Sequence, residues 1–146
     1  MIGKPIPSGN GGYTLIGSVV NQKGDFTAHT DPQFYNANKT ITSLFSSIIN
    51  GNYDEVNIIV RATGLDSIYW TSFIVTTGTY PINAFADIKN TNMQLFLPMP
   101  GQTANFTHFI IMSTSLSDVT ANMRISSNFY DLMTNNTEIT YMFYVK

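Results

Sequence analysis

The chain has 146 residues, a usual length for one domain, and its lack of cysteine excludes disulfides, thiolate catalysis and zinc–thiolate sites. Charged residues make up only 11% of the chain, against about 25% in a typical soluble domain, and the net charge is −2. The few cations are scattered singly, so we expect no nucleic-acid binding, and no apolar stretch is long enough to predict a membrane span.

The polarity of the chain comes mainly from Asn, Ser and Thr side chains. These side chains lose their water more cheaply than ions do, and they hydrogen-bond in many directions. Such a composition suits surfaces that are buried between subunits or that bind sugars. A neutral, threonine-rich β domain that stays monomeric is the alternative interpretation.

The sequence predicts an extended N-terminal arm at residues 1–12 and a single β-rich domain at residues 13–146. Two prolines favour polyproline geometry in the arm, and the three glycines after them disfavour regular structure. We expect the arm to lie on a neighbouring subunit; packing on its own domain is the alternative. The expected assembly contacts are Ile2, Pro5, Ile6 and Pro7.

The first strand of the domain is predicted at Tyr13–Val20, where β-branched residues alternate with others. Gly24 ends it in a turn at Gln22–Asp25. The segment Phe26–Asn38 shows no regular pattern and is predicted to be irregular.

One helix is predicted at residues 40–50, because apolar side chains recur there with helical spacing on one face. Asn38 or Thr40 is expected to cap its start, and Asn50-Gly51 is expected to supply a left-handed stop. The opposite face carries Ser and Thr, which form helices poorly, so packing on a sheet must hold this helix. Its apolar stripe consists of Ile41, Leu44, Phe45, Ile48 and Ile49.

Strands dominate the middle of the chain. Val56–Ala62 and Ser67–Thr77 are predicted to form a hairpin around a loop at Thr63–Asp66. Both strands carry apolar residues on both faces, which indicates central strands or one face at an interface. Further strands are predicted at Asn92–Leu97 and Asn105–Thr114.

The sequence pattern in the last third of the chain predicts two strands, each with one buried face. The expected inward positions are Val119, Ala121, Met123 and Ile125 in the first and Ile139, Tyr141, Phe143 and Val145 in the second. A helical turn at Phe129–Met133 separates them. These elements together predict a mainly β fold: an antiparallel β-sandwich, with a jelly roll as one candidate topology, and one short amphipathic helix packed on it.

No residue pattern predicts chemistry. His108 lies within an apolar run and is interpreted as a core or interface histidine, and His29 beside Asp31 is interpreted as loop polarity. The carboxylates fall mostly at turns and strand ends and form no spaced pair for acid–base catalysis. We therefore expect no catalytic residue, no metal site, no cofactor and no enzymatic activity.

Aromatic side chains offer a second interpretation, because aromatic faces beside Asn and Asp often stack on sugars. The candidate glycan or receptor contacts are Tyr69, Trp70 and Tyr80. Trp70 lies in mid-strand among apolar residues, so a place in the core is the competing assignment.

The leading functional hypothesis is a non-enzymatic structural protein of a symmetric assembly, most concretely a virion component such as a bacteriophage capsid-associated, decoration or tail protein. Its partners would be other protein subunits, copies of itself or another virion protein, and its location would be the virion. The alternative is a glycan- or receptor-binding β domain, such as a viral fibre tip or a lectin-like module, which would bind a host surface glycan and be secreted or cell-surface-associated.

Overall fold

A computed structural model describes residues 12–66, 72–87, 93–98, 106–115 and 117–146. These residues form two antiparallel β-sheets, three short α-helices and one short 3-10 helix. The strands, in chain order, are β1 (Thr14–Gln22), β2 (Thr27–Ala28), β3 (Phe34–Thr40), β4 (Glu55–Leu65), β5 (Ser72–Pro81), β6 (Met93–Pro98), β7 (Phe106–Ser115), β8 (Asp118–Ser126) and β9 (Met133–Val145). The helices are α1 (Thr42–Asn50), α2 (Ile82–Ala86) and α3 (Ser127–Leu132), and the 3-10 turn spans Lys23–Asp25.

Sheet 1 has the strand order β1-β9-β4-β5, and sheet 2 has the order β2-β3-β8-β7-β6. Each of the four connections between the sheets contains a helical segment: the 3-10 turn, α1, α2 and α3. The eight longer strands divide equally between the sheets, as in jelly rolls, whereas the connections within sheets make a β4–β5 hairpin and a β6–β7–β8 meander. The predicted antiparallel sandwich with a short helix is confirmed.

One hydrophobic cluster draws on both sheets and all three α-helices. Burial alternates along the strands that line it, as a sheet with one core face requires. The inward positions predicted for the last two strands are all buried, and they belong to β8 and β9. In β4 the buried set is Val56, Ile58, Val60, Ala62 and Leu65.

The helix α1 packs its predicted apolar stripe inward. Phe45 and Ile48 are fully buried, and Leu44 is partly buried against the core. Leu44 lies over Gly17 of β1, where an added Cβ would come 2.5 Å from Leu44 Cδ1. The helix is therefore held by packing against strands, as its poor intrinsic propensity requires.

The predicted caps of α1 are wrong. Ile41 occupies the N-cap position without a side-chain cap, and its N–H donates to Val119 O of β8 at 2.8 Å. Thr42 Oγ1 accepts a hydrogen bond from Val119 N at 3.1 Å, so pairing with β8 fixes the helix start. At the other end Gly51 has a φ of −86°, and Asn52 takes the left-handed conformation instead. Gly51 is needed for space, because a Cβ there would overlap the ring of Tyr53.

Two segment predictions also need correction. The segment predicted to be irregular contains β2 and most of β3, which pairs with β8 along seven residues although Ala37 is its only buried side chain. The predicted loop at Thr63–Asp66 is mostly strand, because β4 continues to Leu65 through a bulge. Gly64 forms this bulge with a φ of +73°, and its carbonyl accepts hydrogen bonds from the hydroxyls of Thr137 at 2.6 Å and Thr134 at 3.1 Å.

A buried polar pair ties β1 to β9 inside the core. Asn21 is 1% exposed, and its Nδ2 donates to the Tyr141 hydroxyl at 3.0 Å. Burial raises the pKa of Tyr141 well above its ordinary value, and the hydrogen bond from Asn21 offsets only part of that rise. Tyr141 therefore stays neutral and serves the packing of the core.

Candidate functional site

The sequence-predicted contact residues lie mostly outside the described residues. This holds for the assembly contacts Ile2, Pro5, Ile6 and Pro7 and for Tyr69 and Trp70. Tyr80 is described: it is half-buried in β5 and packs against the core. The side chain of His108 is not described, and its backbone pairs with that of Arg124. The predicted assembly and carbohydrate contacts stay predictions.

No catalytic or metal-binding constellation emerges within the part of the chain that the structure describes. There, no three His, Asp or Glu side chains come close enough to share a metal ion. Among the described helices, none is long and apolar enough to cross a membrane. Tyr35 and Tyr130 stack on each other with ring centroids 3.8 Å apart, and Lys23 lies over Tyr130, so each ring already has a stacking partner within the protein.

The outer face of sheet 1 is the surface that stands out. Strand register places β1, β9, β4 and β5 side by side, so that outward residues form rows across the sheet. One row contains Leu15, Tyr144, Asn57 and Thr79, and another contains Val20, Thr140, Arg61 and Ile74. Met142 and Ile59 are paired in the row between them. We call the six apolar members the outer patch: Leu15, Val20, Ile59, Ile74, Met142 and Tyr144.

The outer patch is exposed at its margins and packed at its centre. Ile74 is 60% exposed, Leu15 is 49% exposed and Val20 is 40% exposed. Met142 is only 9% exposed, although its neighbours in β9 at positions 141 and 143 point into the core. A single exposed apolar side chain needs no explanation, but several of them on one sheet face form a candidate interaction surface.

Charge is sparse on this face. Glu55 lies at one end of β4, Arg61 lies in the same strand, and Glu138 lies in β9 at the opposite end of the face. The side chains of Arg61 and Glu138 are exposed and make no hydrogen bond or ion pair with any described residue. The face therefore offers one free cation and one free anion beside an apolar centre.

Tyr13, the residue that follows the predicted arm, is held by side-chain contacts at the edge of this face. The Tyr13 hydroxyl donates to Glu55 Oε1 at 2.7 Å and lies 3.4 Å from Thr79 Oγ1. Lys146 Nζ lies 5.5 Å from the centre of the Tyr13 ring, and the Lys146 side chain also passes close to Gly12. The contact with Thr79 lowers the pKa of Tyr13, but the hydrogen bond to Glu55, burial and the charge of Glu55 together outweigh it, so the pKa is raised overall. The end of the predicted arm is thus anchored beside the outer patch.

The sequence indicated this face only in part. Apolar residues on both faces of the strands around Ile59 and Ile74 pointed to an interface or a central strand. Met142 and Tyr144 are not predicted to belong to this face, because the apolar residues at odd positions of β9 already explain the pattern as a strand with one buried face. Their signal is the same: large, largely apolar side chains on the face opposite the core face.

Comparison with known proteins adds no family to these observations: no family model, no curated protein and no solved structure matches the chain.

Proposed function

We propose that this chain is a non-enzymatic structural protein of a symmetric assembly, and that the outer patch of sheet 1 is its contact surface. The observation that carries the proposal is the set of six apolar side chains on the outer face of sheet 1, three of them 40% exposed or more, in a chain with only 11% charged residues. A freely diffusing domain usually keeps itself soluble with a mixed charged surface. On this face, apolar side chains share the rows with uncharged polar ones, and charged residues are few.

The occupant of this face is a second copy of the chain. Arg61 and Glu138 lie on the same face, and neither has a described partner within its own chain. A two-fold axis brings the same surface of two copies together. Arg61 of the first copy can therefore pair with Glu138 of the second copy, and Glu138 of the first with Arg61 of the second. The surface is thus complementary to itself in charge as well as in its apolar centre.

The outer patch alone is smaller than a standard protein–protein interface. Its rows extend about 20 Å along the strands and roughly 15 Å across four strands, which is a projected area of about 300 Å². A standard interface buries about 800 Å² on each partner. We propose that residues 1–12, anchored at Tyr13 beside the patch, supply part of the difference. Twelve extended residues span up to about 40 Å, enough to reach a neighbouring subunit.

A virion is the concrete setting we propose, with the chain as a bacteriophage capsid-associated, decoration or tail protein. The support is indirect: a composition suited to buried subunit surfaces, an apolar sheet face and no described catalytic constellation. Such proteins act through repeated contacts between identical or related subunits. Self-association of the chain is therefore the property that tests this proposal.

Ile74→Lys should weaken self-association. Ile74 is the most exposed member of the outer patch and pairs with Arg61 across β4 and β5, so a lysine adds a like charge to the contact. Burying an unpaired charge there should cost about 2 kcal/mol or more, roughly a 30-fold rise in the dissociation constant. Sedimentation velocity over a concentration series measures it.

The matched control is Thr40→Lys, which adds the same charge at an exposed position of β3 in sheet 2. It should assemble like the unmodified protein. If Ile74→Lys also assembles unchanged, with its melting temperature intact, the outer patch is not the contact surface and this assignment is wrong.

A further inference from the structure

A second cluster lies on the other sheet, around Arg124 of β8. Arg124 Nε donates to Asn36 Oδ1 at 3.1 Å, and one of its terminal nitrogens lies 3.3 Å from His29 Nε2. The guanidinium carbon is 5.6 Å from the centre of the Phe34 ring. The hydrogen bond to Asn36 and the Phe34 ring orient a half-buried guanidinium on the outer face of sheet 2.

The histidine is held just as firmly. The backbone N–H of Asp31 donates to His29 Nδ1 at 3.0 Å. The loop that carries both residues is closed by His29 N donating to Phe34 O at 3.0 Å and Phe34 N donating to Asp31 O at 3.2 Å. Because Nδ1 accepts a hydrogen bond, the imidazole carries its proton on Nε2.

Two donors therefore face each other. The Nε2–H of His29 and an N–H of Arg124 are 3.3 Å apart, and neither can accept a hydrogen bond from the other. An oxygen placed beside both would accept from both at once. An anionic oxygen would do so best, because hydrogen bonds between charged partners are the stronger ones.

Arg124 has no counter-charge of its own. It forms no ion pair with any described residue; the described ion pair of this region is Lys39 with Asp25, at 3.0 Å. The Asp31 carboxylate is engaged by the N–H of Gln33 at 3.0 Å. A guanidinium has five N–H donors, and Arg124 gives one of them to Asn36, so the four on its two terminal nitrogens remain for a ligand. The fork of these donors matches a carboxylate.

The neighbouring side chains define the kind of anion. Two residues further along the same strands, Asn122 Nδ2 donates to Asn38 Oδ1 at 2.8 Å. This leaves the Asn38 amide protons and the Asn122 carbonyl oxygen for other partners. This pair lies about 7 Å from the Asn36–Arg124 pair, a separation that one pyranose ring can span. Thr27 adds a hydroxyl on the same face beside Asn36.

A single cation bordered by neutral amides and hydroxyls suits a sugar that carries one carboxylate. Polyphosphates and nucleic acids need several cations together, and Arg124 is the cation that the described part of this face provides. An acidic protein side chain would fit the guanidinium but would leave the Asn38–Asn122 pair without a role.

We propose that Arg124, His29 and Asn36 bind the carboxylate of an acidic saccharide, a sialic acid or a hexuronic acid, and that Asn38 and Asn122 bind its hydroxyls. The site lies on the sheet opposite the outer patch and does not depend on self-association. A monomeric protein should bind the sugar equally well, so failure of one proposal leaves the other standing.

The test is a titration of the full chain with N-acetylneuraminic acid and with glucuronic acid, followed by NMR or calorimetry. At least one of the two acids should bind at least about tenfold more tightly than its own methyl ester, which removes the charge and keeps the ring. This comparison uses the unmodified protein, so it holds even if a variant fails to fold. Equal binding of acid and ester, or no binding of either acid, would overturn the proposal.

Variants locate the site. Arg124→Gln should weaken binding of the better acid by about tenfold or more, and Arg124→Lys should not restore it fully, because a lysine lacks the fork. Lys39→Gln makes the same change in net charge at a residue paired with Asp25 and should leave the affinity within about twofold. Tighter binding of an acidic peptide than of either sugar would assign the site to a protein ligand and refute the saccharide.

Discussion

Gly64→Ala should lower the free energy of unfolding by about 3 kcal/mol or more. Gly64 holds a φ of +73° at the bulge of β4, a conformation that an L side chain adopts at a cost. An added Cβ would also lie 2.6 Å from the carbonyl oxygen of Asn136, a backbone atom that cannot rotate away. The shift would disturb both threonine hydroxyls that bond to the Gly64 carbonyl. Denaturant unfolding measures the change.

Gly24→Ala is the matched control for that substitution. It lies in the 3-10 turn, has no positive φ, and an added Cβ would meet no atom within 4 Å. Its stability should change by less than about 1 kcal/mol, with a small gain from the stiffer unfolded chain. If both variants are equally stable, the bulge geometry at Gly64 is not as described.

Phe45→Ala should cost about 3–5 kcal/mol of unfolding free energy, because it removes a fully buried ring and leaves a cavity. Phe45 lies at the centre of the α1 stripe, with its ring centroid 5.0 Å from that of Phe85 in α2. The loss would therefore loosen two of the helices that connect the sheets. Thermal and denaturant melts report it.

Ser43→Ala tests the opposite face of the same helix. Ser43 is exposed, so the change removes no packing and slightly improves helix propensity, and stability should move by less than about 0.5 kcal/mol. A loss below about 1 kcal/mol for Phe45→Ala would show that α1 is not packed on the core as described.

The helix illustrates what sequence reasoning can reach. Its apolar stripe repeats with the helical period, and that local signal located α1 and its buried face. Its caps could not be predicted, because the start is fixed by hydrogen bonds between Ile41, Thr42 and Val119, residues far apart in the chain. The strand β3 was missed for the same reason: its Asn, Lys and Thr side chains carry no local strand pattern, and its pairing with β8 is long-range.

The two candidate surfaces differ in how far they can be predicted from the sequence. The outer patch left a trace in the sequence, because strands with apolar residues on both faces can be recognised from their own residues. The Arg124 cluster left none: His29 and Arg124 are 95 residues apart, and only the pairing of β3 with β8 brings the arginine beside Asn36 and the loop that carries His29. The cluster also gives the glycan-binding hypothesis a second candidate location, on the other sheet from the one that holds Tyr80.

Self-association is the central claim, and the native mass of the full chain in solution tests it most directly. One chain has a mass of 16.2 kDa. Sedimentation equilibrium from micromolar to near-millimolar concentration should give a particle whose mass is a whole multiple of that value and which dissociates on dilution or in the Ile74→Lys variant. A mass of 16.2 kDa across the whole range would contradict the assembly proposal.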